Sequence, residues 1–140
     1  MALELSSLKK AVNSMEKAVE FSIKKEKECN IDNDEMNVIT AGVIQNFEFT
    51  YELCWKFMKR WLEENISRDI VDGVPRNELF RRAAESKLID EIEKWFEFHK
   101  ARNKTSHIYD EEISKEVYII SKEFLPEAKL FLERIEEKND

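Results

Sequence analysis

The run Phe47-Glu48-Phe49-Thr50-Tyr51-Glu52-Leu53-Cys54-Trp55-Lys56-Phe57-Met58-Lys59-Arg60-Trp61 decides the fold class. With Val43, the residues Phe47, Tyr51, Cys54, Met58 and Trp61 draw one apolar stripe at helical spacing, and Phe49, Leu53 and Phe57 draw another on a different side. A helix that is apolar on more than one side is central to a bundle or faces a partner chain. The spacing predicts a helix from about Glu35 to Glu64, with Asp34 as its N-cap and the aromatic side chains as core.

The flanks repeat the helical period. Leu5, Leu8, Val12, Met15, Val19 and Ile23 predict a first helix from about Leu5 to Lys27. The polar stretch 28–33 reads as a loop. Beyond the central helix, 65–73 is a connector. Val74-Pro75 then opens a short helix that ends near Glu85, with Leu79, Phe80 and Ala83 inward and Pro75 suited to its first turn. Residues 86–89 link to a helix capped by Asp90, which carries Ile92, Trp95, Phe96 and His99 to about Lys104. A last helical stripe starts after Asp110 and runs through Ile113, Val117, Ile120, Phe124, Ala128, Phe131 and Ile135. Pro126 lies inside it and is expected to kink or break it.

The chain holds 2 glycines and 2 prolines in 140 residues, too few for the tight turns of a sheet protein. The expectation is all-α: an antiparallel up-and-down four-helix bundle with one additional short helix, folded as one domain over residues 1–140. No apolar run approaches the ~20 residues of a membrane span, and no secretory pattern opens the chain, so a cytoplasmic protein is expected. Cys29 and Cys54 read as buried or inert thiols. No residue set has metal-ligand spacing and no glycine-rich phosphate loop exists, so no cofactor is expected.

The net charge of −7 opposes broad binding to nucleic acid or anionic membrane. It is uneven: residues 1–55 carry −4, residues 56–104 carry +2 and residues 105–140 carry −5. The cationic middle adjoins Arg102-Asn103-Lys104-Thr105-Ser106-His107-Ile108-Tyr109-Asp110. Arg offers a planar fork that pairs with phosphate oxygens, and His exchanges protons near neutrality. Together they suffice for metal-free RNA cleavage, with the imidazole serving the 2′-hydroxyl or the leaving oxygen and the guanidinium the phosphate charge. One His does one proton job at a time, so this chemistry favours a site completed by a second copy. Asp110 as N-cap would fix the connection. On residues alone, the pair reads first as a structural or surface feature and only second as an active site. His99 reads as packing or helix-end charge. Glu52 and Lys56, at i,i+4, form either a helix ion pair or part of a cleft. Lys56, Lys59 and Arg60 form a solvated face, or border an anion site with Lys100, Arg102 and Lys104.

The run Gln45 to Lys56, followed by Arg102-Asn103, Ser106-His107 and Tyr109-Asp110, resembles the nucleotidyltransferase substrate-binding protein family, within the HEPN superfamily of helical bundles. The resemblance covers nearly the whole chain, including the Val74 to Phe80 helix. It implies a dimerising four-helix-type bundle and a minimal nucleotidyltransferase encoded nearby as its partner. HEPN toxins carry Arg-x4-6-His as a metal-independent ribonuclease motif, which maps onto Arg102 and His107 as catalytic residues. In the toxin branch the motif extends to a Tyr, here Tyr109, to which the transferase attaches AMP and so silences the toxin. Asn103, Lys56 and Glu52 are the expected substrate-binding residues. The alternative reading of the family is a non-catalytic subunit that binds a nucleotide or other substrate for the transferase.

Overall fold

The computed structural model describes residues 2–139. Its described residues form α1 (Ser6–Glu26), α2 (Asn33–Asn65), α3 (Arg76–Glu85), α4 (Ile92–Lys104) and α5 (Glu111–Glu137), with 3-10 turns at Arg68–Ile70 and Thr105–His107. The expected all-helical bundle with one short helix is what forms. None of the helices is long and apolar enough to cross a membrane.

Side-chain contacts fix the directions. Ser14 bonds Asn46 and Thr50 bonds the Ala11 carbonyl, so α1 and α2 run antiparallel. Lys9–Glu136 and Lys122–Glu26 make α1 antiparallel to α5, and Lys94–Glu127 and Lys104–Glu116 do the same for α4 and α5. Phe47 meets Phe124 and Trp61 meets Lys138, so α2 and α5 are parallel and touch across the bundle's diagonal. This flattens the bundle and puts α2 and α5 at its centre, with α1 on one side and α3 and α4 on the other. It explains why α2 is apolar on two sides.

One apolar cluster runs through all five helices. Its aromatic heart is Phe47, Tyr51, Phe80, Trp95, Phe98, Phe124 and Phe131, packed mostly edge-to-face. In α1 the stripe holds from Leu5 to Val19, but Ser22 takes the last core position and Ile23 is exposed. Ser22 is accommodated by bonding the Val19 carbonyl at 2.8 Å.

Several local expectations change. The cap of α2 is Asp32, whose carboxylate accepts from the Asp34 amide at 3.0 Å, so the helix starts one residue before the expected Asp34 cap. Asp90 does not cap α4: both its oxygens face Arg134 of α5, at 2.6 and 2.7 Å. α5 passes through Pro126 unbroken. Pro126 is on the exposed side, where the carbonyl it leaves unbonded can turn to water, while Phe124 and Ala128 are held in the core. α3 ends where Lys87 adopts φ 63° and Leu88 N–H reaches back to Ala83 O at 3.0 Å. Gly73, at φ 72°, supplies the turn before Val74-Pro75.

The two ends of the described chain clasp each other. Leu3 N–H donates to Asn139 Oδ1 at 2.7 Å, and Asn139 Nδ2 donates back to Leu3 O at 2.9 Å. Trp61 Nε1 adds a bond to the Lys138 carbonyl at 3.2 Å.

Candidate functional site

The Arg102–Asp110 segment lies at the opposite end of α5 from that clasp. Arg102 is in the last turn of α4. Buried Thr105 ties it to the following 3-10 turn: its hydroxyl accepts from Arg102 Nη1 at 2.9 Å and donates to the Arg102 carbonyl at 2.8 Å. At the far side, Asp110 N–H closes on His107 O at 3.0 Å. The Asp110 carboxylate accepts from the amides of Glu112 and Ile113 at 3.0 and 3.2 Å, so it caps α5 as expected. Held at both ends, the segment turns His107 and Tyr109 outward. His107 Nδ1 is 3.4 Å from Tyr109 Oη, the rings stand edge-to-face, and Tyr109 is 84% exposed.

The Arg102 guanidinium lies against α2. Nε is 3.2 Å from Glu52 Oε1 and Nη1 is 3.7 Å from Glu48 Oε2. The Nε–H does not aim at either oxygen, so this pair is Coulombic rather than hydrogen-bonded. Glu52 is oriented from its other side, where Trp55 Nε1 donates to Oε2 at 3.0 Å. Gln45, Glu48, Phe49, Glu52, Arg102 and Ile108 line a groove of about 460 Å³. Phe49, 61% exposed, is a rib between this groove and a second of about 560 Å³ bordered by Ser14, Asn46, Glu52 and Lys56.

The structure therefore brings Arg102 and Glu52 into contact and pairs His107 with Tyr109. Lys56 is in the adjoining groove, with Nζ 5.7 Å from the Trp55 ring, and Glu52 pairs with the Arg102 charge and accepts from Trp55 rather than pairing with Lys56. Asn103 is exposed on α4. The cations expected to border an anion site are offset locally: Lys59 faces Glu63 at 4.0 Å, Lys100 faces Glu97 at 3.6 Å and Lys104 faces Glu116 at 2.7 Å. Cys29 is exposed and Cys54 buried, both as free thiols, and burial pushes the Cys54 thiol up.

Sequence reasoning missed two parts of this site. Glu48 precedes Glu52 by one helical turn, a spacing that was available as a signal. The second part joins three helices. Arg76 of α3 stacks on Trp55, 3.6 Å from the ring centroid, and its Nη1 donates to Tyr51 Oη at 3.2 Å. Tyr51 Oη is in turn 2.8 Å from His99 Nδ1 on α4. Burial raises the Tyr51 phenol, against the pull of Arg76. Burial also lowers the His99 imidazole, with Arg76 acting in the same direction and Glu52 against it. No sequence pattern links positions 51, 76 and 99.

Known proteins resemble this chain in sequence and fold. The model of the family described as "Nucleotidyltransferase substrate binding protein like" matches residues 3–137. The "Probable ribonuclease HepT" of Haemophilus influenzae is 38% identical over 104 residues, covering 74% of this chain and 71% of that protein. A solved H. influenzae structure, described as revealing the fold of a substrate-binding domain of a nucleotidyltransferase, superposes with TM-score 0.89 at 33% identity, over 95% of this chain and 99% of that one. A Thermus thermophilus structure shares the fold at TM-score 0.64 and 22% identity, over 86% of this chain and 98% of the other. With one family model spanning nearly every residue that builds the bundle and its Arg102–Asp110 turn, the chain belongs to the nucleotidyltransferase substrate-binding protein family.

Proposed function

We propose that this chain, acting as one helical domain over residues 1–140, is the metal-independent ribonuclease toxin of a toxin–antitoxin pair, working as a cytoplasmic homodimer whose partner is a minimal nucleotidyltransferase. The observation that carries this reading is the doubly tied turn. Thr105 and Asp110 hold Arg102, His107 and Tyr109 on one short segment, with the imidazole and phenol open to solvent. The name of the H. influenzae relative supports it. In the reaction, His107 takes the proton of a ribose 2′-hydroxyl. The 2′-oxygen then attacks the adjacent phosphorus, and the 5′-oxygen leaves with a proton from an acid. Arg102 meets the charge that develops on the phosphoryl oxygens, and Asn103 and Lys56 bind the flanking substrate. His107 of a second copy supplies the acid. The exposed Phe49 rib between the two grooves suits contact with that copy.

Silencing uses Tyr109. Its phenol gives up its proton to solvent as the oxygen attacks the α-phosphorus of ATP held by the transferase, pyrophosphate leaves, and an adenylate remains on Oη. That places a bulky anion beside Arg102 and blocks an incoming RNA phosphate. The test is RNA cleavage in chelator by the purified dimer, with and without transferase and ATP. Loss of one proton-transfer group costs about 10²–10⁴-fold and loss of one charge-stabilising donor about 10²–10³-fold, so His107→Ala and Arg102→Ala should lose cleavage while Tyr109→Phe keeps it and escapes silencing. Equal residual cleavage by the wild type and both alanine variants overturns the ribonuclease assignment.

One observation favours the second reading, a non-catalytic subunit that binds nucleotide for the transferase. Two carboxylates already engage the Arg102 guanidinium, so the groove is not cationic in the isolated chain. Calorimetry with nucleotides, with and without the transferase, separates the two. Nucleotide binding without cleavage supports this one, and cleavage removes it.

A further inference from the structure

The chain of bonds that ends at His99 specifies a protonation state. Tyr51 is fully buried, so its hydroxyl proton needs an acceptor. Arg76 is a donor only, so Tyr51 Oη accepts from it. The only other partner of Tyr51 Oη among the described residues is His99 Nδ1, at 2.8 Å, so the phenol donates there. Nδ1 is thereby an acceptor, and the proton of the neutral ring is on Nε2. The ring is clamped on one edge by α2 and α3. Its other edge is open: Nε2 makes no hydrogen bond among the described residues, and His99 is only half-buried. His99 precedes Arg102 by three residues on α4, which puts both side chains on one face about 5–6 Å apart at their Cβ atoms.

His99 is neither enclosed nor bonded through both nitrogens. We propose that His99 belongs to the Arg102 site, where its neutral Nε2–H donates a hydrogen bond to a phosphate oxygen of bound RNA, with Tyr51 and Arg76 as positioning residues that fix the tautomer and aim the ring. This deepens the ribonuclease reading and rests on it, since the ligand is the RNA phosphate that Arg102 meets. Arg102 brings the charge and His99 adds direction, because the ring's orientation is fixed before substrate arrives. Arg76 reaches the site through Tyr51, and through Trp55, on which it stacks and which donates to Glu52, so its effect on substrate is indirect.

The test combines two measurements on the full-length dimer with a 2′-O-methyl RNA oligonucleotide, which cannot be cleaved through its 2′-oxygen. Nitrogen-15 NMR of histidine-labelled protein should show His99 protonated on Nε2 alone, and that resonance should move as RNA is added. Fluorescence anisotropy should show His99→Phe, which keeps the ring volume, binding about tenfold more weakly, the scale of one lost hydrogen bond to a charged group. Tyr51→Phe should mix the tautomers and weaken binding by a smaller factor, and it serves if His99→Phe does not fold. Unchanged affinity in the folded variants with an unmoved Nε2 resonance overturns the role of His99 and leaves the ribonuclease reading standing. RNA binding by neither wild type nor Arg102→Ala overturns both.

Discussion

Replacing Glu48 by Gln should strengthen binding of RNA or a nucleotide, against the usual effect of altering a groove residue. Glu48 Oε2 is 3.7 Å from Arg102 Nη1, and both side chains are about one-third exposed. At that separation the Coulomb energy is about 1 kcal/mol with the dielectric of water and about 4 kcal/mol at the effective value near a protein surface. Half-solvated pairs deliver the lower end, up to about 1 kcal/mol. An incoming phosphate must displace that attraction and also meets the carboxylate's repulsion. Removing the charge while keeping the shape should therefore tighten anion binding by about fivefold, equivalent to about 1 kcal/mol. The assay is anisotropy with the uncleavable RNA at low and moderate salt. The gain should shrink as salt rises, because exposed charges are screened over about 8–10 Å. It should shrink in Arg102→Ala, where only the direct repulsion is left to relieve, which makes the pair a double-mutant cycle. Unchanged or weaker binding by Glu48→Gln, or an equal gain in the Arg102→Ala background, refutes the idea that Glu48 competes with substrate for Arg102.

Three further outcomes follow from the packing and caps. Asp110→Ala removes the acceptor for two amides at the start of α5 and should cost about 1 kcal/mol by denaturant unfolding, while Asp110→Asn costs little. Phe124→Ala empties a site packed against Phe47, Tyr51, Trp95 and Phe98 and should cost about 3–5 kcal/mol. The Arg134 bonds hold the Asp90 carboxyl below its usual value, so the stability it adds is present above the unfolded-state pKa of about 4 and is lost as the pH falls through the lowered value; Asp90→Asn should flatten that acid limb of the stability curve.

What was legible in the sequence depended on range. The helical period identified all five helices and most of their core positions, because each is a local consequence of burying one face, but Phe49 of α2, expected in the core, is 61% exposed, and α4 buries Trp95, Phe98 and Ala101 where Ile92, Trp95, Phe96 and His99 were expected. The Asp110 cap was readable for the same reason, as an acceptor directly ahead of a periodic run. The misplaced features depend on contacts between distant residues. Asp90 is well placed for capping, but its carboxylate goes to Arg134, 44 residues away. Asp32 and Asp34 both suit a cap, and the one whose backbone is extended takes the role. In the site, the motif residues share one turn and were found together. Their carboxylate partners on α2 and the Arg76–Tyr51–His99 bonds are made by packing between helices, which a single sequence does not encode as spacing.

The Leu3–Asn139 clasp has a practical consequence for how the protein is handled. Whatever is joined before Leu3 or after Asn139 emerges from neighbouring points at one pole of the bundle. Tyr109 is at the other, separated by the length of α5, whose 27 residues rise about 40 Å, and the two grooves lie along α2 between the poles. Affinity tags, surface anchors and fusion partners at either end therefore share one exit and stay clear of Tyr109 and the turn that carries it. A donor and acceptor dye placed at the two ends start side by side, so loss of energy transfer between them reports the opening of the bundle directly.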